Sequence, residues 1–321
     1  DAGTCDAAPP DAQPDAAVPC SDEPPMGAAR MWRRPLDSPD IARDGDPHHS
    51  VVDPVINPGD AFTFDGKFAY GTFSRDLKFE RVYAWLQVDG CHWVDLGFGD
   101  TDGDGRVSLP IDLDPPLTPG AYPYRVIVGG DLSQARGSVW VVEQGHEAVV
   151  FDVDGTLTIG DSELFQEILL GSDPEMYPGG EQVVGRYAAQ GYQIIYMTGR
   201  PYFLNPSTRS WLERHGFPGG ALRTTDSLTE ALPTRGEVGA FKLAWLTHLQ
   251  DEANGPGLSI SAGYGNATTD ICAYAEAGVP PEDTWIIGPH GGERCDDYAP
   301  THALADYPSH LPTLANLPRA R

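Results

Sequence analysis

Positive charge is scarce in this sequence. Its 321 residues hold 21 Lys and Arg against 47 Asp and Glu, a formal net charge of −26. Nucleic-acid binding draws on a basic stripe that displaces condensed counterions, and no such stripe is visible, so DNA and RNA are excluded as partners. The same imbalance opposes electrostatic docking of the whole chain on an anionic bilayer. Long apolar runs are also missing, and none approaches the ~20 residues a spanning helix requires. Cysteine is sparse, five in all, and no conserved-looking framework fixes its pairing. The first residue is Asp1 rather than Met.

The hydrophobic content of 40% suffices for two domains of ordinary size. Residues 1–30 are rich in Asp, Ala and Pro, and Asp1–Pro25 has no aromatic side chain. Such a stretch buries too little apolar surface to offset its ordering entropy, which makes it a disordered tether. A tether behind a removed leader implies an exported or surface-tethered chain. Cys5 with Cys20 and Cys272 with Cys295 would agree with that, leaving Cys91 over; five ordinary thiols are the alternative. Residues 31–58 read as an irregular linker, with His48 and His49 as solvated histidines on an extended segment.

From 59 to 145 the pattern changes to short β-type runs (61–64, 82–88, 93–98, 107–113, 122–128, 137–142) separated by Gly, Pro and Asp clusters. This spacing predicts an antiparallel β-sandwich of immunoglobulin-like type, with Trp85 and Trp140 as core fillers. Asp100, Asp102 and Asp104 match the first ligands of a calcium loop, and Gly105 its glycine. The acidic residue that should close the loop is replaced by Ile111, so a turn between strands is the simpler account and structural Ca²⁺ the alternative.

From 146 to 321 strands alternate with helices, which implies a mostly parallel sheet flanked by helices, with chemistry beyond the carboxyl ends of the strands. The first strand runs into Phe151-Asp152-Val153-Asp154-Gly155-Thr156. Alternation places both carboxylates on one side. Two like charges so close call for a compensating cation, most naturally Mg²⁺ with its preference for oxygen donors. Thr198, Gly199 and Arg200 follow the second strand. Lys242 lies on an otherwise apolar helix. Asn266 and Asp270, four apart, lead from a strand into a helix. Each has a plain structural reading, as a turn cap, a snorkelling lysine or a helix-terminal acid. Their order along the chain makes a coincidence of all of them improbable.

That order resembles the motifs of the haloacid-dehalogenase (HAD) superfamily. T-G-R-P, Thr208–Leu212, F-K and G-N-x-x-x-D-x-x-A-Y are similar to the LNS2 catalytic region of lipin-type phosphatidate phosphatases, over roughly 148–293. Lipins also carry an immunoglobulin-like β domain. The resemblance implies an α/β HAD domain without a large cap and a Mg²⁺-dependent phosphomonoester hydrolase acting through an aspartyl-phosphate. Asp152 would be the nucleophile and Asp154 the acid/base. Thr198 and Lys242 would hold the phosphoryl group, with Gly155, Thr156, Gly199 and Arg200 lining the substrate phosphate. Asp152, Asp154 (through its backbone carbonyl), Asn266 and Asp270 would hold the metal. The expected substrate is phosphatidate or a related lipid phosphate. A broad-specificity exported phosphatase and a non-catalytic binding module on the same scaffold are the alternatives.

Overall fold

A computed structural model of the chain describes residues 21–71, 74–160, 173–225 and 235–321. The amino-terminal half is a β-sandwich. Ser50–Val51, Phe62–Lys67 and Arg106–Ile111 form one sheet, and Val55–Ile56, Gln134–Val141, Gly120–Val128, Arg81–Val88 and His92–Asp100 form the other in that spatial order. The six runs read from the sequence are all strands, with edges shifted by a few residues. Pairing is antiparallel except where Val55–Ile56 runs parallel to Trp140–Val141. Between the sheets Phe64 stacks on Tyr124 with ring centroids 4.0 Å apart.

The stretch expected to be a linker contributes to this domain. Ser50–Val51 and Val55–Ile56 each enter a sheet, runs of two that Pro and Asp punctuation conceals. His49 is not solvated: it is 2% exposed, wedged against Phe68 and Tyr70, with Nε2 2.9 Å from the Ser133 hydroxyl. Residues 21–34 also lie on the sandwich. The Ser21 carbonyl accepts from the Trp93 indole at 2.9 Å, and Glu23 pairs with Arg136 at 3.0 Å. Asp100 is occupied by Arg33 and Arg81, while Asp102 Oδ1 accepts from the Asp104 and Arg106 amides at 2.8 Å each. That is the hydrogen-bonding of a turn between strands. Cys272 and Cys295 form a disulfide. Cys91 is disulfide-bonded as well and so is not the odd thiol expected.

The carboxyl-terminal half is a six-stranded sheet, parallel throughout. In chain order its strands are β1 (Glu147–Asp152), β2 (Gln193–Pro201), β3 (Ala221–Thr225), β4 (Ser259–Gly265), β5 (Thr284–Ile287) and β6 (His302–Leu304). Their spatial order is β3-β2-β1-β4-β5-β6. Helices α1 (Gly180–Ala189), α2 (Asn205–Arg214), α3 (Arg235–Gln250) and α4 (Thr268–Glu276) cover it. A helix expected at 162–170 lies outside the described residues. Side-chain alternation along β1 sorts the two faces. Val149 and Phe151 pack with Val183, Val184 and Trp211, whereas Ala148 and Val150 pack with Leu246 and Leu249 of α3 and with Tyr274 of α4.

The two halves meet through buried groups. Trp140, expected inside the sandwich, packs instead against the core on the α3 side of the parallel sheet. Asp53, fully buried, accepts from the Ser138 amide of the sandwich and the Leu222 amide of β3, both at 2.9 Å. Its charge is met by Arg209 of α2 at 3.0 and 3.1 Å. Removing one partner of a buried pair leaves the other uncompensated, so Asp53→Ala should destabilise the chain by about 3–5 kcal/mol in urea titration. Burial pushes the His49 pKa down to about 3. The folded chain therefore keeps this ring neutral while the unfolded chain protonates it near pH 6.5. Stability present above that value should fall as the pH drops towards 3, and urea midpoints of His49→Leu should fall less steeply between pH 7 and 5.

Candidate active site

Asp152 is the last residue of β1 and continues the face of Ala148 and Val150. That parity brings its carboxylate beneath α3 and α4. Lys242 stands four and seven residues before Leu246 and Leu249, on the same inward stripe of α3, and is only 3% exposed. Asp270 precedes Ala273 and Tyr274 by three and four residues on the corresponding stripe of α4. The three charges converge: Lys242 Nζ lies 2.6 Å from Asp152 Oδ1 and 2.5 Å from Asp270 Oδ1. This is no snorkelling lysine. Its ammonium bridges two buried carboxylates at the point where the strand order reverses, between β1 and β4.

The remaining oxygens are also engaged. Thr156 donates to Asp152 Oδ2 at 2.9 Å, and its hydroxyl lies 3.4 Å from Asn266 Oδ1. Asp270 Oδ2 accepts the amides of Asn266 and Ala267 at 3.0 Å each, so this residue caps α4 as well as facing Lys242. A side chain at Gly265 would put its Cβ 2.5 Å from that of Asp270, which explains the glycine. Gly155 has φ +71°, the left-handed conformation that turns the chain back after Asp154. Gly199 has no positive φ and a Cβ there would meet only Val238 at ordinary contact distance, so its geometry does not demand glycine.

Asp154 faces β2. Thr198 donates to its Oδ2 at 2.6 Å, and Arg200 Nε donates to Oδ1 at 2.8 Å. Arg200 is 1% exposed and is braced in turn by Thr208 of α2, whose hydroxyl accepts from Nη1 at 2.9 Å. Thr208 lay in a quoted motif but carried no role. Tyr307 was missed altogether. Its hydroxyl donates to the Thr156 carbonyl at 2.9 Å, and it belongs to a carboxyl-terminal segment with too short a periodicity to reveal itself in sequence.

Burial raises the Asp152 pKa to about 7, with Lys242 opposing and Asp270 and Asp154 adding to the rise. Burial alone would depress Lys242, but the two carboxylates hold it above its usual value. The donors expected for Mg²⁺ are all oxygens and in kind fit a hard cation. Among the described residues no three His, Cys, Asp or Glu groups stand close enough to hold a metal together, so such a site relies on the Asn266 amide and the Asp154 carbonyl besides Asp152 and Asp270.

Comparison with known proteins places both halves. Residues 149–288 match the family model of the LNS2 domain of PITM 1-3, and residues 47–141 match that of the PITM 1-3 beta-sandwich domain. The chain thus pairs a β-sandwich with an LNS2 domain. Membrane-associated phosphatidylinositol transfer protein 1 of Rattus norvegicus is 34% identical over 244 residues, 75% of this chain and 18% of the relative. Membrane-associated phosphatidylinositol transfer protein 3 of Homo sapiens is 33% identical over 226 residues, covering 70% and 22% respectively. Protein retinal degeneration B of Drosophila melanogaster is 31% identical over 248 residues, covering 76% and 18%. The chain therefore spans 18–22% of the length of these relatives. The LNS2 region is as expected, but two of these relatives are named as phosphatidylinositol transfer proteins and none as a phosphatase. The expected export does not stand either, since two of these relatives are named as membrane-associated transfer proteins.

Because the folded pKa of Asp152 exceeds its unfolded value of 3.8, its contribution to stability is greatest at low pH and is lost as the pH rises through 7. In EDTA at pH 8, Asp152→Asn should be more stable than the parent by roughly 1–3 kcal/mol, the gap closing as the pH falls towards 4 in thermal melts.

Proposed function

We propose that this site binds and hydrolyses a phosphate monoester, with a lipid phosphate of the phosphatidate class as substrate. The observation that carries the reading is the Lys242 ammonium held between buried Asp152 and Asp270, with the Thr156 hydroxyl on Asp152 and the Thr198 hydroxyl on Asp154. A buried carboxylate beside a buried ammonium and hydroxyl groups suits phosphoryl transfer. An Asp152 oxygen forms the new bond to phosphorus as the ester P–O bond breaks, and Asp154 gives its proton to the departing oxygen. Water then attacks the aspartyl-phosphate, returning a proton to Asp154 and releasing inorganic phosphate. Lys242, turning from Asp152 to the phosphoryl oxygens, offsets the charge that enters with the substrate. Mg²⁺ held by Asp152, Asp270, Asn266 and the Asp154 carbonyl would supply further neutralisation there. The names of the relatives support a lipid over a soluble ester.

Asp154 favours a second reading, binding without turnover. Its carboxylate is held by Arg200 at 2.8 and 2.7 Å and by the Thr198 hydroxyl at 2.6 Å, so both oxygens are engaged away from a leaving group. Hydrolysis requires Arg200 to release it when substrate arrives.

Phosphate release from p-nitrophenyl phosphate and from detergent-dispersed phosphatidate, with Mg²⁺ or EDTA, decides between the two. Turnover should need Mg²⁺, fall at least about a thousandfold in Asp152→Asn, and be faster on phosphatidate. Saturable phosphatidate binding with no release, unchanged in Arg200→Gln, would establish the receptor reading instead.

A further inference from the structure

The hold on Asp154 depends on what holds Arg200. This side chain is 1% exposed, and among the described residues its guanidinium meets only Asp154 and Thr208. Nε and Nη2 reach Asp154 Oδ1 at 2.8 and 2.7 Å, and Nη1 donates to the Thr208 hydroxyl at 2.9 Å. Nη2 has no well-directed hydrogen bond of its own. Thr208, fully buried on α2, therefore keeps the far end of the group from swinging off the carboxylate. A buried guanidinium cannot turn to water, and donors left unmet cost more than one hydrogen bond returns. The backbone of Arg200 is fixed as well. Its amide donates to the Thr198 hydroxyl at 3.0 Å, and its carbonyl accepts from Thr225 of β3 at 3.3 Å.

Both supports of this arginine lead to the sandwich. Tyr202, two residues beyond Arg200 and 4% exposed, shares a hydrogen bond of 2.5 Å with the Ser74 hydroxyl. Lys67, itself paired with Asp76 at 2.7 Å, stands 5.5 Å from the Tyr202 ring. Phe203 meets His48 edge-on at 6.3 Å. The stretch that carries β2 into α2 is thus seated on sandwich residues. On α2 the residue after Thr208 is Arg209, tied to Asp53 at 3.0 and 3.1 Å. Consecutive helical residues point in different directions, so the sandwich grips α2 on one side while another side braces Arg200.

We propose that the sandwich positions Arg200 on Asp154, through Ser74 on Tyr202 and through Asp53 on the helix of Thr208. Thr208 and Tyr202 are then positioning residues for the acid/base carboxylate, and the sandwich is the frame that decides how firmly it is held. Calling Asp154 an acid rests on the hydrolase reading; the hold on it is measurable whether or not an ester is cleaved.

The Arg200 Nε–H group reports that hold by NMR. In the full chain labelled at its arginine nitrogens, at a single pH and in EDTA, its resonance is identified by its loss in Arg200→Lys, and its exchange with solvent is timed. Thr208→Val should speed exchange about tenfold, the weight of one hydrogen bond, whereas Thr208→Ser should keep the parent rate. Tyr202→Phe and Asp53→Asn should each speed it about threefold or more. Val82→Ala, a truncation in the sandwich core, should lower the melting temperature and leave the Arg200 rate alone. Unchanged exchange in Thr208→Val would overturn the brace, and unchanged exchange in both Tyr202→Phe and Asp53→Asn would overturn the role of the sandwich. Equal acceleration in Val82→Ala would overturn both, since the proton would then report global stability alone. Phosphate release from p-nitrophenyl phosphate, followed in the same samples, keeps the two readings apart. Altered exchange on a parent chain without turnover leaves the positioning standing and removes the hydrolase reading.

Discussion

One ammonium group holds the functional end of this protein together. Three carboxylates gather at the carboxyl edge of the parallel sheet, and two of them are so deeply buried that their mutual repulsion is barely screened. Lys242 makes the arrangement tolerable by standing between Asp152 and Asp270. Everything around it serves that position: the inward stripes of α3 and α4, the parity of β1, the missing side chain at Gly265. The other acid, Asp154, is compensated separately by Arg200. The site is therefore two ion-paired units side by side, Lys242 with two carboxylates and Arg200 with one.

The balance also bears on function. A dianion entering beside Asp152 competes with two carboxylates for Lys242, and the apolar surroundings make that exchange energetically large in either direction. The Lys242 unit could yield to substrate while the Arg200 unit holds, in which case the site recognises phosphate without cleaving the ester. If both yield, the hydrolysis proposed above proceeds. The distinction lies in the strength of a single ion pair.

Much of this was legible beforehand. Strand-helix alternation revealed the sheet, and the acid pair, Thr198, Lys242, Asn266 and Asp270 do assemble at one edge of it. Helical spacing of Val183, Val184, Tyr187 and Ala188 marks the apolar face of α1, of which the first three are buried and Ala188 half-buried. What stayed hidden has a common cause. Two-residue strands at 50–51 and 55–56, the burial of His49, the brace from Thr208 and the hydroxyl of Tyr307 all depend on contacts between residues distant in sequence, which no local pattern encodes. The reading of residues 31–58 as linker failed because Pro and Asp were taken as marks of irregularity, whereas here Asp53 is the most buried acid of the sandwich half.

Asp53 has a consequence for how such chains are inherited. Its carboxylate is shared among a sandwich amide, a sheet amide and an arginine of α2, so neither domain is chemically closed without the other. A lineage that exchanged one domain for an unrelated one would strand either an acid or an arginine in the seam. The two halves are better regarded as one heritable module than as two beads on a string, and their joint similarity to the same relatives is what such a seam would enforce.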